Sequence, residues 1–317
     1  MQIAVVGGGA VGGYLAGVAA EVGHAVTLLC RGPTAAALAR YGVQICDTEA
    51  GLRASPVRVL DTGDNASALS PVDLIVLSVK TWQVPQVTSL LPALLGAHTL
   101  IVTVQNGLDT AELVAAMVGA EHVLAGALMI VTRQVSPGIY CRYGDLMDLT
   151  LAPVRSALVA SDIQVRSTAR VLADTGLRVW ITADARRMLW RKLIFASAVS
   201  GVPAMFGVPA GDARSLPPVD NAIRKAILEG AAVARAEGMV FTTSHLAAIF
   251  SDYEQLPQGM TSSMHRDLEN SGPSEISDQN GAIVHKGAQH GIATPIHSAV
   301  LRALSPRCAA EHPTSHP

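Results

Sequence analysis

The sequence predicts an α/β fold in two parts: a doubly wound parallel sheet, then an all-helical domain. Three observations carry this. Short unbroken Val/Ile/Leu runs recur through the first half, separated by helix-like spacers, and a glycine-dense turn follows the first of them. From about Thr182 onward the β-rich runs stop and helical stretches take over. Continuous apolar runs, rather than strict alternation, are what a parallel sheet covered on both faces requires. Alternation of strands with helical spacers places those runs in a doubly wound sheet.

The elements follow in order. Ile3-Ala4-Val5-Val6 reads as a strand, Ala10 to Val22 as a helix of small and apolar residues, and Ala25 to Cys30 as a second strand. Further strands are expected over Asp73 to Val79, Thr99 to Val104 and His122 to Ala127. Val131 to Leu151 alternates loosely around Pro137-Gly138, as a hairpin closing the domain would. Helices are expected over Ala183 to Val199, Pro218 to Gly238, Thr243 to Phe250, Ser262 to Asn270, Glu275 to Gly291 and Pro295 to Leu304. The predicted organisation is a first domain over 1–182, a helical domain over 183–305 and a disordered tail over 306–317. No internal repeat is visible.

Size and charge narrow the function. The 317 residues are enough for two domains with a sizeable core; half are hydrophobic and 15% charged, with mean hydropathy +0.35. Such a chain buries enough apolar surface to order itself, unlike a disordered or low-complexity one. Lys+Arg 23 against Asp+Glu 25 leaves a net charge of -2, with neither a nucleic-acid footprint nor a polybasic membrane patch. The balance implies a small-molecule partner. Cys30, Cys46, Cys141 and Cys308 contain no C-x-x-C pair, which suits reduced thiols better than disulfides or zinc. His285, His290 and His297 are spaced by five and seven, not as helical neighbours, so no metal site is expected. Ile3 to Ala20 is an 18-residue run without charge, but its six glycines and the lack of a preceding Lys or Arg make it a buried strand and helix. A cytoplasmic protein is expected.

The glycine turn is specific. Gly7-Gly8-Gly9-Ala10-Val11-Gly12 fits G-x-G-x-x-G between a strand and a helix. Gly7 allows the tight turn, Gly9 lets backbone approach a pyrophosphate, and Gly12 lets the helix sit close to the strand. The helix N-terminus then presents free N–H groups and partial positive charge to phosphates. The turn is the signature of a Rossmann-type dinucleotide-binding domain. NAD binders place an acid about 20 residues on, for the ribose 2′-hydroxyl. Here Leu29-Cys30-Arg31-Gly32 occupies that place, with no carboxylate until Asp47. Arg31 can make charge-assisted contacts with a 2′-phosphate, so the cofactor expected is NADPH/NADP+.

Three more segments place polar residues where such a sheet presents its binding edge. Ser78-Val79-Lys80-Thr81-Trp82-Gln83 and Gln105-Asn106-Gly107 each follow a strand. Lys80 and Asn106 could thus reach the nicotinamide ribose and a substrate. In Leu189-Trp190-Arg191-Lys192-Leu193-Ile194-Phe195, Lys192 is flanked by strongly apolar residues. A buried ammonium has a lowered pKa and can donate a proton to a developing alkoxide; a snorkelling surface lysine is the competing reading.

The set G-G-G-A-V-G, V-K-T-W-Q, Q-N-G, L-W-R-K-L, S-S-M-H-R-D-L, S-E-I and N-G-A-I-V, with Gly291-Ile292-Ala293-Thr294-Pro295, resembles the ketopantoate reductase (2-dehydropantoate 2-reductase) family, in order and from Met1 to about Leu304. The resemblance implies a Rossmann domain joined to an all-helical domain, and NADPH-dependent reduction of 2-dehydropantoate to pantoate in pantothenate biosynthesis. It implies that Lys192 is the general acid, that Glu275 holds substrate and lysine, that Ser263 binds substrate, and that Asn106 and Lys80 lie between cofactor and substrate. A cation at the carbonyl oxygen with hydride arriving at carbon is coherent chemistry.

The departures are equally specific. Family members that act on ketopantoate carry asparagines four and eight residues after the lysine and three before the serine; here these are Ala196, Ser200 and Met260. Ser200 remains a candidate substrate contact. The family's Glu-x-Asp is Glu275-Ile276-Ser277. Fewer partners for a substrate hydroxyl leave two alternatives open: a paralogous NADP-dependent enzyme acting on another 2-oxo or hydroxy acid, and a non-catalytic NADP-binding redox sensor. The helical domain could also form a homodimer.

Overall fold

A computed structural model describes residues 1–47, 51–62, 69–154, 162–270 and 272–308. Contacts divide the chain into two units: the first comprises Met1–Gln105 and Asp109–Met188, the second Asn106–Leu108 and the chain from Leu189 onward.

The first unit is built on one ten-stranded sheet. Its strands are β1 (Gln2–Val6), β2 (Ala25–Cys30), β3 (Val43–Asp47), β4 (Gly51–Ser55), β5 (Arg58–Asp61), β6 (Leu74–Leu77), β7 (Leu100–Thr103), β8 (Val123–Ser136), β9 (Ile139–Pro153) and β10 (Arg178–Ile181). They lie in the order β4-β3-β9-β8-β7-β6-β1-β2-β5, with β10 also on β9. Helices α1 (Ala10–Glu21), α2 (Gly32–Tyr41), α3 (Val84–Val87), α4 (Leu91–Leu94), α5 (Thr110–Val118) and α6 (Ile163–Asp174) complete the unit.

The parallel heart runs β5-β2-β1-β6-β7-β8. From β1 the chain winds one way through β2, and from β6 the other way through β7, so the switch point lies between β1 and β6. In open α/β sheets ligands bind outside the strand ends at such a point. The uncharged run Ile3 to Ala20 is strand plus helix, as its glycines predicted. Leu15, Val18, Val5, Leu28, Ile45, Tyr140 and Leu149 share one core there. A fully buried aliphatic side chain of this kind contributes about 1.5–3 kcal/mol.

The hairpin is longer than the sequence suggested and does not close the sheet. β8 and β9 are antiparallel over 14 and 15 residues. Register shifts at Ile130/Thr132 and Gln134/Ser136 bend the pair. This lets β9 pair with β3 at Ile139–Cys141 and with β10 at Asp148–Leu151. Strands β3, β4, β5 and β10 have no counterpart in the sequence reading. Their sequences (VQICD, GLRAS, RVLD and RVWI) mix polar with apolar residues, so no unbroken apolar run marks them.

The second unit is helical: α7 (Ala185–Phe206), whose first turn belongs to the first unit, then α8 (Pro217–Ala236), α9 (Thr243–Glu254), α10 (Ser263–Glu269), α11 (Ala282–Gln289) and α12 (Pro295–Cys308). α7 is buried along most of its girth by Trp190, Leu193, Ile194, Val199 and Val202, and continues seven residues beyond the predicted end. It tolerates Pro203 inside. The stretch expected as one helix from Glu275 to Gly291 is instead a turn, a π-helical segment over Ser277–Gly281, and then α11. α12 runs through Pro306 to Cys308, three residues into the expected tail; residues 309–317 lie outside the described ones. Among the described residues no helix is long and apolar enough to cross a membrane.

Candidate active site

In the first unit the glycine turn joins β1 to α1. Gly7 has φ +117°, a conformation L side chains rarely adopt, and a Cβ there would sit 2.8 Å from the Val79 nitrogen. At Gly12 a Cβ would fall 2.0 Å from the Gly7 carbonyl oxygen and 2.2 Å from Ser78 Oγ. Each substitution is sterically closed. Gly9 differs: a Cβ there would meet nothing within 4 Å, so the turn opens onto free space at that residue. Gly9 is the N-cap of α1, without a side-chain cap, and Ala10, Val11 and Gly12 form a first turn without an acid. Such a terminus leaves N–H groups available to an anion.

Two side chains missed in the sequence hold this turn. Ser78 Oγ donates to the carbonyls of Val6 at 3.0 Å and Gly7 at 3.1 Å, tying the end of β6 to the turn. Tyr140, fully buried on β9, donates its hydroxyl to the Gly8 carbonyl at 3.0 Å. Its ring fills the place where a Gly13 Cβ would lie, 2.1 Å from ring carbons. The available signal was Gly13, a glycine outside the G-x-G-x-x-G pattern and therefore reserved for a neighbour.

Arg31 follows β2 as the N-cap of α2, exposed, with its guanidinium donating to Gln86 Oε1. Asp61 ends β5 in register with Cys30, so a carboxylate does stand beside the end of β2, supplied by the neighbouring strand. Burial, and then Asp61, push the Cys30 thiol up to about 11. Lys80 is half-buried, its ammonium 5.8 Å from the centroid of the Trp82 ring and its N–H donating to Gln83 Oε1 at 3.2 Å. Gln105 Nε2 donates to the carbonyls of Leu77 and Val79 at 2.8 and 2.9 Å.

The second unit holds the candidate reacting pair. Lys192, on α7, is 6% exposed and Glu275, on the turn before the π-helical segment, 4%. Burial drives the Lys192 ammonium down to about 8, and the Glu275 charge acts against that shift. Lys192 is thus a buried lysine and not a snorkelling one. Asn106 donates Nδ2–H to Glu275 Oε2 at 2.8 Å. Gly107, at φ +101°, lies close to the Asp278 carbonyl, 3.2 Å from where its Cβ would be. Asn106, Glu275 and Lys192 are therefore brought together. Ser200 is buried two turns along α7 from Lys192, Ala196 half-buried one turn along. Ser263 opens α10 half-buried, while the capping is done by Ser262, whose Oγ accepts from the His265 N–H.

A buried carboxylate beside a buried ammonium, with an amide fixing the carboxylate, can hold an oxygen substituent and deliver a proton to it. The open glycine turn, with an uncapped helix terminus and an exposed arginine at the next strand end, fits a nicotinamide dinucleotide.

The chain is similar to known proteins along most of its length. The family described as "Ketopantoate reductase PanE/ApbA" matches residues 3–155, and "Ketopantoate reductase PanE/ApbA C terminal" matches residues 184–307. The 2-dehydropantoate 2-reductase of Caulobacter vibrioides is 28% identical over 306 residues, covering 96% of this chain and 98% of that protein. The crystal structure of a PanE/ApbA family ketopantoate reductase from Ralstonia eutropha JMP134 matches at TM-score 0.82 and 27% identity, over 97% of this chain and 99% of its own. A ternary structure of D-mandelate dehydrogenase with NADH and anilino(oxo)acetate shares the fold at TM-score 0.86 and 20% identity, over 97% and 98% of the two chains.

Proposed function

This chain belongs to the ketopantoate reductase family of oxidoreductases, and on that premise we propose that it reduces 2-dehydropantoate to pantoate, with NADPH as hydride source and Lys192 as proton donor. The observation that carries the reading is the buried Lys192 ammonium, poised near neutrality beside Glu275. When bound, the reduced nicotinamide supplies a hydride to the carbonyl carbon. Lys192 stabilises charge growing on the carbonyl oxygen and gives it a proton. Glu275 keeps that ammonium charged, and Asn106 keeps Glu275 oriented. Ser200 and Ser263 are the substrate contacts of this reading. On the cofactor, the N–H groups from Gly9 to Gly12 take the diphosphate, Arg31 the 2′-phosphate, and Lys80 and Asn106 the nicotinamide ribose.

A second reading keeps the chemistry and changes the acid. Ala196, Ser200 and Met260 stand where ketopantoate-specific members carry amide side chains, so a less polar 2-oxo acid, or the corresponding hydroxy acid in reverse, competes for the site. The test is NADPH oxidation by purified protein with 2-dehydropantoate beside a panel of simpler 2-oxo acids. Preference for 2-dehydropantoate supports the first reading and preference for another acid the second. A Lys192→Ala variant that kept turnover would overturn the proton-donor role in both.

A further inference from the structure

The motif N-G-A-I-V begins inside the π-helical segment, and none of the chemistry above uses its asparagine. Asn280 is completely buried. Its Nδ2 group donates to the Ser197 carbonyl of α7 at 3.2 Å and lies 3.0 Å from His297 Nδ1 of α12. The amide orientation is fixed by chemistry, since reversing it would set the amide oxygen against the Ser197 carbonyl. His297, also completely buried, has Nε2 at 2.9 Å from the Ala226 carbonyl of α8, so Nε2 carries the hydrogen and Nδ1 accepts. Burial holds His297 neutral, down to about 4. The N–H groups of Ile296 and His297 are in turn capped by Glu229 of α8 at 2.9–3.2 Å.

One amide group thus joins the π-helical segment to α7 and α12, and through His297 to α8. Room for it is made by Gly201, where a Cβ would lie 2.6 and 2.8 Å from the Asn280 amide atoms and 2.7 Å from Val300 Cγ1. Glu275 stands on the turn that leads into this segment, and its carbonyl accepts from the segment's Gln279 N–H at 3.0 Å. Ser197 lies five residues along α7 from Lys192. The amide hydrogen bond to Ser197 therefore ties α7, which carries Lys192, to the segment that the Glu275 turn leads into. π-Helical turns are frequent at functional sites.

We propose that Asn280 is a positioning residue: by clamping the π-helical segment to α7 and α12 it fixes where Glu275 stands relative to Lys192. The proposal rests on the reading of those two residues as the reacting pair.

The test reads Lys192 directly and needs no substrate. Lys80, Lys192, Lys225 and Lys286 are the only lysines of the chain, so full-length protein labelled with 13C-lysine gives four resolvable titrations, Lys192 assigned by its loss in Lys192→Arg. Titration midpoints are compared in wild type, Glu275→Gln, Asn280→Ala and the Asn280→Ala/Glu275→Gln double variant. Losing Glu275 lowers the Lys192 midpoint by about one pH unit. Asn280→Ala is expected to lower it by a comparable amount, and the double variant no further than Glu275→Gln alone. Gly201→Ala, which displaces the amide without removing it, and the milder Asn280→Ser are expected to act in the same direction. Folded variants that keep the wild-type midpoint, or an Asn280→Ala effect that adds in full to that of Glu275→Gln, overturn the proposal. So does loss of folding in all three brace variants, which makes Asn280 and Gly201 scaffold alone. Should wild type reduce no 2-oxo acid, the reaction falls while the titrations still decide the positioning.

Discussion

Replacing Glu275 by Gln separates the two forces acting on Lys192. Burial pulls the ammonium down and the Glu275 charge holds it up, leaving it at about 8. Gln keeps an acceptor for Asn106 Nδ2 and removes only the charge. With a midpoint near 8, about nine-tenths of Lys192 is protonated at pH 7 and about a tenth at pH 9. A reduction that needs the ammonium should therefore be level below pH 7 and fall about tenfold per unit above pH 8. Oxidation of the hydroxy acid needs the free amine and should rise through the same range. In Glu275→Gln the midpoint should drop by about one unit. The protonated fraction at pH 8 then falls from half to about a tenth, roughly a fivefold loss, with little change in that fraction at pH 6. The assay is the pH profile of kcat/KM from NADPH absorbance, in which the midpoint is diagnostic whatever happens to the absolute level. A flat profile between pH 6 and 10, or a midpoint that rises in Glu275→Gln, would refute the reasoning.

Lys192 also burdens the fold. Its folded value lies below the ordinary 10.5, so the unfolded chain binds the proton more tightly, and stability should rise as pH climbs from about 8 toward 10.5. The gap is worth of order 3 kcal/mol, so Lys192→Met should be the more stable protein at pH 7 by calorimetry, without this pH dependence. Tyr140→Phe keeps the ring against Gly13 and leaves the buried Gly8 carbonyl without its donor; the cost of about 1–3 kcal/mol should appear as a lower unfolding free energy in denaturant titration, and an unchanged midpoint would refute the brace. Arg31→Ala should lose about 10–100-fold in NADPH affinity and little in NADH affinity, as measured by fluorescence titration, and equal losses would remove Arg31 from the 2′-phosphate. Installing two of the three missing amides, as Ala196→Asn with Ser200→Asn, should shift kcat/KM toward 2-dehydropantoate over an unhydroxylated 2-oxo acid by one to two orders of magnitude.

What the sequence disclosed follows from the range over which each feature is encoded. The parallel strands β1, β2, β6, β7 and β8 were legible because each is a run of apolar residues buried on both faces. The glycine turn was legible because its steric demands fall on residues within one turn of each other. The strands β3, β4 and β5 interrupt their apolar residues with polar ones and so do not register, and β3 becomes a strand by pairing with β9 almost a hundred residues away. The same holds inside the sites. Lys192 stood out by its apolar neighbours in sequence, whereas Asp61 reached the end of β2 only through strand pairing.

The hidden residues share one physical type. Ser78, Tyr140 and Asn280 each satisfy a carbonyl of a segment distant in the chain. None carries a charge, and alone each is an ordinary polar residue. Their counterparts are visible only as gaps: Gly12 for Ser78, Gly13 for Tyr140 and Gly201 for Asn280. A glycine inside a helix costs roughly 0.5–1 kcal/mol relative to alanine, so a helical glycine outside any turn is retained where something must occupy the space of its Cβ. Gly13 and Gly201 both lie in helix interiors, and each faces a buried hydrogen-bonding side chain from another element. At Gly13 and Gly201 the helical glycine thus marks a long-range brace, whereas Gly17 of α1 makes room for Ile45 and Val43. Gly230 of α8 shows the limit of the rule: its nearest neighbours are Ile194 and Ile283, so there the same device serves close packing between α7, α8 and α11 instead of a polar clamp.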